Sequence, residues 1–221
     1  MMNKVLCSLL LFLSISCGLQ GRNANYARDS KRIWLDSKEI HHGEYVWKMK
    51  KAGDVISSAE KVSTLGYDTS DWLSAIVPGT VLNSLVYNKE YPEPYYGVNN
   101  KLESGKIPDI SKVGREFYTY WFRTEFDVPE SFAGKTIWLQ PDGVNYRAEI
   151  WVNGNLLSTL NGMFISDYIN VTDFVKVGRK NILAVKVYPV DVPGTTMPKS
   201  WGATGEFHNG GNGNIGFNTT M

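Results

Sequence analysis

The sequence predicts an all-β protein, an antiparallel jelly-roll β-sandwich preceded by a signal segment. Three observations predict this fold class: apolar and polar residues alternate in several segments, turn residues separate those segments, and no convincing amphipathic helix interrupts them. The alternation is clearest where Phe122, Thr124 and Phe126 fall on one face and Arg123 and Glu125 on the other. Short strands at a spacing of roughly ten residues favour a sandwich over an α/β fold.

The N-terminus reads as a signal peptide over residues 1–17. Lys4 supplies a positive charge, Val5 to Ile15 is an apolar stretch too short to span a bilayer, and small residues precede Cys17. Cys17 resembles the lipidation cysteine of a bacterial lipoprotein leader, so lipidation and simple cleavage are both open. We expect an exported protein, periplasmic or attached to the outer membrane of a bacterium. Residues 18–31 are polar and are expected to form a tether.

The domain is expected to occupy residues 32–195. Ile33 to Leu35 and Tyr45 to Met49 are expected to form two opening strands, and the polar stretch from Lys50 to Asp71 is expected to loop out. Pro78-Gly79 indicates a turn. Pro92 to Gly97 predicts a stiff aromatic loop that could present rings at a site.

Three further strands are predicted in the second half of the chain. Thr136 to Gln140 is one strand, and Ala148 to Val152 is another. The Asn153-Gly154 pair that follows is typical of a type I′ hairpin turn, because both residues readily adopt positive φ. Asn181 to Tyr188 is the third strand, closed by Pro189, which cannot donate to a ladder.

Composition excludes several classes of function. The 221 residues suffice for one large β domain, with 23 basic and 22 acidic residues and a formal charge of +1, so no nucleic-acid partner is indicated. A neutral carbohydrate partner is compatible with this charge and with seven Trp residues. Because the second cysteine, Cys7, lies within the signal peptide, no intrachain disulfide is expected in the mature domain.

Two motifs that suggest ligands are set aside. Gly211 to Gly216 satisfies G-x-G-x-x-G, but it lies in a Gly/Asn-rich loop without the βαβ context of a dinucleotide site. His41, His42 and His208 are too few and too separated to predict a zinc site. We therefore predict no cofactor and no metal.

A set of ordered motifs resembles a known family. The set is Val77 to Val81, Pro94 to Asn99, Trp121 to Phe126, Asp142 to Gly154, Asp173 and Leu183 to Pro189. It resembles the N-terminal sugar-binding domain of glycoside hydrolase family 2, most closely the exo-β-D-glucosaminidase and β-mannosidase branch. The resemblance covers roughly Trp34 to Pro193.

The resemblance implies a galactose-binding-like jelly roll that precedes an immunoglobulin-like domain and a (β/α)8 barrel carrying the catalytic carboxylates of a retaining glycosidase. No catalytic residue can be placed on this chain, so whether it is itself an enzyme is open. Residues 196–221 read as a Gly/Asn-rich loop, truncated before the next domain. We expect a fragment of an exo-acting glycosidase; the alternative is a free-standing exported carbohydrate-binding module without catalysis.

Three residues are candidates for binding substrate, a terminal hexose or hexosamine of an oligosaccharide. Asp191 follows the last predicted strand at a position where the resemblance implies an acidic residue that binds the sugar. Asn99, after the aromatic loop, and Trp201 are weaker candidates. The structural alternatives are a turn-capping Asp, an Asn that holds its own backbone and a Trp packed between domains.

Overall fold

The computed structural model describes residues 7–11, 32–41, 43–99, 101, 104–108, 113, 115–162 and 165–189. The strands are β1 (Cys7–Leu11), β2 (Ile33–Trp34), β3 (Trp47–Lys51), β4 (Leu73–Ser74), β5 (Tyr120–Asp127), β6 (Ile137–Pro141), β7 (Arg147–Val152), β8 (Asn155–Asn161), β9 (Ile169–Asn170) and β10 (Lys180–Tyr188). They form a six-stranded sheet, ordered β4-β3-β5-β10-β7-β8, and a four-stranded sheet, ordered β2-β1-β6-β9. The predicted all-β sandwich is confirmed.

The helices are short. They are α1 (Lys38–His41), α2 (Ala59–Val62) and α3 (Val81–Tyr87), with 3-10 turns at Ala52–Asp54, Arg115–Tyr118 and Glu130–Phe132. In the described part of the chain we find no helix with the length and apolar character of a membrane span.

The core lies between the two sheets, and the alternation of the strands builds it. β5 and β10 pair antiparallel from Asp127 opposite Lys180 to Tyr120 opposite Val187. This register puts Phe122 and Val185 on the inner face, where both are buried. Ile137 and Leu139 of the four-stranded sheet meet them from the other side. In the hairpin between β7 and β8, Asn153 and Gly154 have φ of 47° and 88°, as a type I′ turn requires.

The segment from Lys50 to Asp71 does not loop out, which corrects the sequence-based expectation. Residues 52–72, called the roof here, cover the outer face of the six-stranded sheet. Val62 and Trp72 of the roof pack against Trp121, Trp151 and Ala184 of the sheet, and all five are buried. The indole side chains of Trp121 and Trp151 on the outer face account for the position of the roof, because without it they would expose an extensive apolar surface.

Arg123 fastens the roof to the sheet. Its side chain was expected on a polar face, yet the residue is only 3% exposed. Its Nε donates to the carbonyl of Val62 and its Nη2 to the carbonyl of Thr64, both at 3.0 Å. The guanidinium is therefore buried because the roof supplies its acceptors.

Helix α3 was not predicted, because its seven residues are too few to show a helical period. Thr80 caps it: the Thr80 Oγ1 accepts a hydrogen bond from the backbone N–H of Asn83 at 2.9 Å. Val81 and Leu85 are buried on its inner side. The Ser84 hydroxyl accepts from the N–H of Ile76 and ties the helix to the preceding turn.

Strand β1 lies within the predicted signal peptide. It pairs parallel with β6, from Cys7 opposite Ile137 to Leu11 opposite Pro141, and parallel with β2. The predicted tether, residues 18–31, and the Gly/Asn-rich loop, residues 196–221, lie outside the described residues. The domain boundaries therefore stay predictions.

Candidate functional site at the Tyr188 end of the sandwich

The candidate site lies at one end of the six-stranded sheet, called the Tyr188 end here. Tyr188 closes β10 and pairs with Arg147, the first residue of β7, while Val187 pairs with Tyr120, the first residue of β5. The starts of β5 and β7 therefore lie beside the end of β10.

A cluster of charged and aromatic side chains lies on the outer face at this end. The Tyr188 hydroxyl donates to Glu149 Oε1 at 2.5 Å, and the Trp151 indole N–H donates to Glu149 Oε2 at 3.3 Å. The Arg147 guanidinium lies 4.7 Å and the Lys186 ammonium 5.2 Å from the centroid of the Tyr188 ring. Glu149 is thus oriented by two donors, and two cations flank the ring.

Burial, followed by the hydrogen bond to Glu149, raises the pKa of Tyr188 above its ordinary value. The phenol therefore stays protonated at neutral pH and remains a hydrogen-bond donor. The cluster is a preorganised polar surface rather than an acid and base pair.

Asn145 is the least satisfied polar side chain at this end. It is 8% exposed, and its Oδ1 is buried without a hydrogen-bond donor among the described residues. The next residue, Tyr146, donates its backbone N–H to the carbonyl of Tyr188 at 3.0 Å, which fixes the segment against β10. A buried amide oxygen without a donor costs about 1–3 kcal/mol, so this atom is a candidate hydrogen-bond acceptor of the site.

Asn99 is held inside its own loop. It is 7% exposed, its Nδ2 donates to the carbonyl of Glu93 at 2.9 Å, and its Oδ1 accepts from the Lys106 ammonium at 2.8 Å. These are contacts of an Asn that braces the loop backbone, as in the structural alternative. Tyr95 and Tyr96 of the same loop are 81% and 77% exposed, so the loop does present rings to solvent.

The aromatic loop starts near the same end of the sheet. Tyr91 packs against the core cluster that contains Tyr118, which lies just before β5, and burial raises the pKa of Tyr91. The structure therefore brings the start of this loop, the Asn145 segment and the end of β10 to one side of the molecule.

The other predicted site residues, Asp191, Trp201 and the lipidation residue Cys17, lie outside the described residues. Sequence reasoning missed Asn145 and Glu149, although both stand in the quoted string Asp142 to Gly154. Asn145 could have been selected as a site residue because it is a polar residue between a predicted turn and a predicted strand. Glu149 could have been placed on the outer face from the alternation of its strand. In the described ranges no three His, Cys, Asp or Glu side chains come together as metal ligands.

A charged groove of about 410 Å³ opens at the opposite end of the sandwich. Asp127 and Lys180, at the far ends of β5 and β10, line it together with Glu125. The Glu125 carboxylate already lies 3.7 Å from Arg123 and 3.5 Å from Lys180. The groove is therefore a weaker candidate than the Tyr188 end.

The chain is therefore a two-sheet β-sandwich with a cluster of polar and aromatic side chains at the Tyr188 end. A family model described as glycosyl hydrolase 2 galactose-binding domain-like matches residues 47–204, and the chain belongs to this family. The predicted family resemblance is confirmed.

Two curated relatives give the family context. A mannosylglycoprotein endo-β-mannosidase of Lilium longiflorum is 40% identical over 131 residues, which are 59% of this chain and 13% of that protein. An exo-β-D-glucosaminidase of Amycolatopsis orientalis is 29% identical over 149 residues, 66% of this chain and 13% of that protein. The chain thus spans about an eighth of the length of these relatives.

A solved structure agrees with the fold. The exo-chitosanase of Amycolatopsis orientalis, in a complex with PNP-β-D-glucosamine, matches with a TM-score of 0.56 and 28% identity. The match covers 68% of this chain and 17% of that one.

Proposed function

We propose that this chain is the N-terminal sugar-binding domain of an exo-acting family 2 glycosidase, and that its Tyr188 end helps to hold the terminal sugar. The observation that carries the proposal is the buried Oδ1 of Asn145, which lacks a donor among the described residues. A sugar hydroxyl is a donor of the right kind, because it can approach a carbonyl oxygen directionally. The arrangement of Glu149 and Tyr188 adds a polar surface beside it.

In this proposal the sandwich binds and does not cleave. A retaining glycosidase uses two carboxyl groups about 5–5.5 Å apart on either side of the scissile bond. These groups belong to a separate (β/α)8 domain, which follows an immunoglobulin-like domain in the longer protein. The substrate is an oligosaccharide with a terminal β-linked hexose or hexosamine, which the names of the relatives support.

The predicted site residues complete the same subsite. Asp191 contributes a carboxylate, Trp201 covers a C–H face of the sugar, and Asn99 acts indirectly by holding the loop that carries Tyr95 and Tyr96. We propose that the protein is exported through the signal peptide over residues 1–17, either lipidated at Cys17 or released by simple cleavage.

One observation favours a second candidate function, an endo-acting mannosidase. The relative of 40% identity is named an endo-β-mannosidase, whereas the relative of 29% identity is named an exo-enzyme. An endo-enzyme would cleave an internal mannosidic bond and release little product from a simple aryl monosaccharide. Product analysis on an oligosaccharide therefore separates the two activities.

The test uses the native product with its natural continuation. Its intact mass is measured first, and kcat/KM is then measured on p-nitrophenyl β-D-glucosaminide and β-D-mannoside. We expect hydrolysis of one of them, and we expect Asn145→Ala to lower kcat/KM about tenfold through the lost hydrogen bond. Asn83→Ala, on the exposed side of α3, is the control and should keep full activity.

Thermal unfolding of the same variants separates binding from folding. Asn145→Ala removes an oxygen that has no described donor, so its melting temperature should equal or exceed that of the parent. A native mass near that of the 24.8 kDa chain without any hydrolysis would instead support a free-standing binding module. Full activity in Asn145→Ala would remove this residue from the site.

A further inference from the structure

The aromatic loop, Pro92 to Gly97, carries the two most exposed aromatic side chains of the described residues. Tyr95 and Tyr96 are 81% and 77% exposed, whereas Tyr168, the next aromatic residue in this order, is 51% exposed. Single apolar residues scattered over a surface are ordinary, but two adjacent rings on one loop form a contact surface. The pair is therefore a candidate binding surface.

Hydrogen bonds brace the backbone of this loop. The N–H of Tyr96 donates to the carbonyl of Glu93, and the N–H of Asn99 donates to the carbonyl of Tyr96, both at 3.2 Å. The Tyr95 N–H donates to Glu93 Oε1 at 3.3 Å. Two prolines fix further backbone angles, and Gly97 adopts a φ of 58° within the second turn. Because the loop is already ordered, little conformational entropy is lost when a ligand contacts its rings.

The base of the loop lies at the Tyr188 end. Tyr91 packs against the core. Burial, followed by the nearby Tyr91 phenol, raises the pKa of Tyr120, the first residue of β5, which pairs with Val187. Tyr95 comes four residues after Tyr91, so their Cα atoms are at most about 14 Å apart. The rings are therefore held on the side of the domain that carries the candidate site.

The chemistry of the two rings suits a sugar. A pyranose ring has an apolar face of C–H groups, and a tyrosine ring covers such a face while its hydroxyl remains available for a hydrogen bond. The Glu93 carboxylate, which accepts the Tyr95 N–H, adds an acceptor for hydroxyl groups beside the rings. A standard protein interface takes about 20–30 residues on each side, so a patch of two rings with a polar neighbour fits a narrow ligand better.

We propose that Tyr95 and Tyr96 form a stacking platform for sugar units beyond the terminal one. The platform rests on the proposed function, in which the Tyr188 end holds the terminal sugar. The ligand class is thereby narrowed to a β-linked oligosaccharide whose inner pyranose rings lie on the two tyrosine rings. Asn99 is a positioning residue for the platform, because its amide braces the backbone of the loop.

Calorimetric titration of the 221-residue chain tests the platform. The ligands are mannose, glucosamine and the β-1,4-linked hexamer of each. The variants are Tyr95→Ala, Tyr96→Ala and Tyr95→Phe, and Asn145→Ala reports on the terminal subsite. Tyr87→Ala is the matched control, because Tyr87 is a half-exposed tyrosine at the end of α3, outside the loop.

We expect the parent to bind one hexamer at least about tenfold more tightly than its monosaccharide. Tyr95→Ala and Tyr96→Ala should each raise the Kd of that hexamer about tenfold and leave the Kd of the monosaccharide unchanged. Tyr95→Phe keeps the ring and should stay within about twofold of the parent, as should Tyr87→Ala. A loss in the alanine variants of the loop without one in Asn145→Ala would support the platform and remove Asn145 from the terminal subsite.

The platform is refuted if the parent binds neither hexamer, or if both alanine variants of the loop bind the hexamer as tightly as the parent. Equal losses in Tyr95→Phe and Tyr95→Ala would exclude ring stacking, and equal losses for hexamer and monosaccharide would place the rings at the terminal sugar instead. Melting temperatures of the same variants in the native product give a second readout. Because the rings are exposed, these temperatures should not change. A fall of about 3 °C or more would show that the rings pack against another part of the protein, which also overturns the platform.

Discussion

Replacing Arg123 by Met tests whether the roof is held by hydrogen bonds to its backbone. The Arg123 side chain is 4% exposed and donates to the carbonyls of Val62 and Thr64, both at 3.0 Å. Burial lowers the pKa of Arg123, but a guanidinium stays charged in proteins. Hydrogen bonds from a charged donor contribute about 1.5–3 kcal/mol each, so the two contacts together account for about 3–6 kcal/mol.

One correction reduces this figure, and one further contact leaves it almost unchanged. Because Met does not carry the desolvation cost of a buried cation, the substitution recovers part of the free energy of unfolding that is lost with the hydrogen bonds. The Glu125 carboxylate is 38% exposed and lies 3.7 Å from the guanidinium, so this ion pair adds little. We expect Arg123→Met to lower the free energy of unfolding by about 2–4 kcal/mol.

Urea unfolding followed by tryptophan fluorescence measures this loss. Native-state emission should shift to the red, because Trp72, Trp121 and Trp151 lie beneath or within the roof. Lys48 of β3 pairs with Arg123 of β5 and lies on the same face of the sheet. Lys48→Met is therefore the control and should change the free energy of unfolding by less than about 0.5 kcal/mol. A loss below about 1 kcal/mol for Arg123→Met would show that apolar packing alone holds the roof.

Two further predictions concern local stability. Burial raises the pKa of Tyr120 well above that of a free tyrosine. The contribution of this shift to stability is therefore fully present below about pH 10, the pKa of tyrosine in the unfolded chain. Above that pH the unfolded chain ionises first, and the free energy of unfolding falls by up to about 1.4 kcal/mol per pH unit. Tyr120→Phe should make this fall shallower in urea titrations between about pH 10 and 11.5, and parallel slopes would contradict the assignment. Thr80→Ala should lower the free energy of unfolding by about 1 kcal/mol, because it removes the N-cap of α3. Thr80→Ser keeps the capping hydroxyl and should be close to the parent in urea unfolding. An equal loss in both variants would exclude capping as the cause.

The parts of the fold that the sequence predicts are those with a local cause. Alternation in β5 and β10 follows from a period of two, and the Asn153-Gly154 turn follows from the positive φ that these residues tolerate. The roof could not be predicted, because the acceptors of Arg123 lie about sixty residues earlier in the chain. Polar composition suggested exposure, whereas the apolar Val62 and Trp72 decide the docking.

The site was predictable in class and not in detail. Motif resemblance indicated a sugar-binding domain, and the family match bears this out. The oxygen of Asn145 stands out only when the surrounding donors can be counted in three dimensions. The contacts of Asn99 likewise depend on the path of its loop, which places Glu93 and Lys106 on either side of the amide.

The roof also bears on how such domains diversify. Over Trp121 and Trp151 the six-stranded sheet is covered on both faces, so a substitution in the middle of a strand disturbs one packed layer or the other. Substitutions in the loops at the strand ends disturb less of this packing. The rim segments can therefore change in sequence while the two packed layers stay unchanged, in a family whose relatives carry the names of different glycosidases.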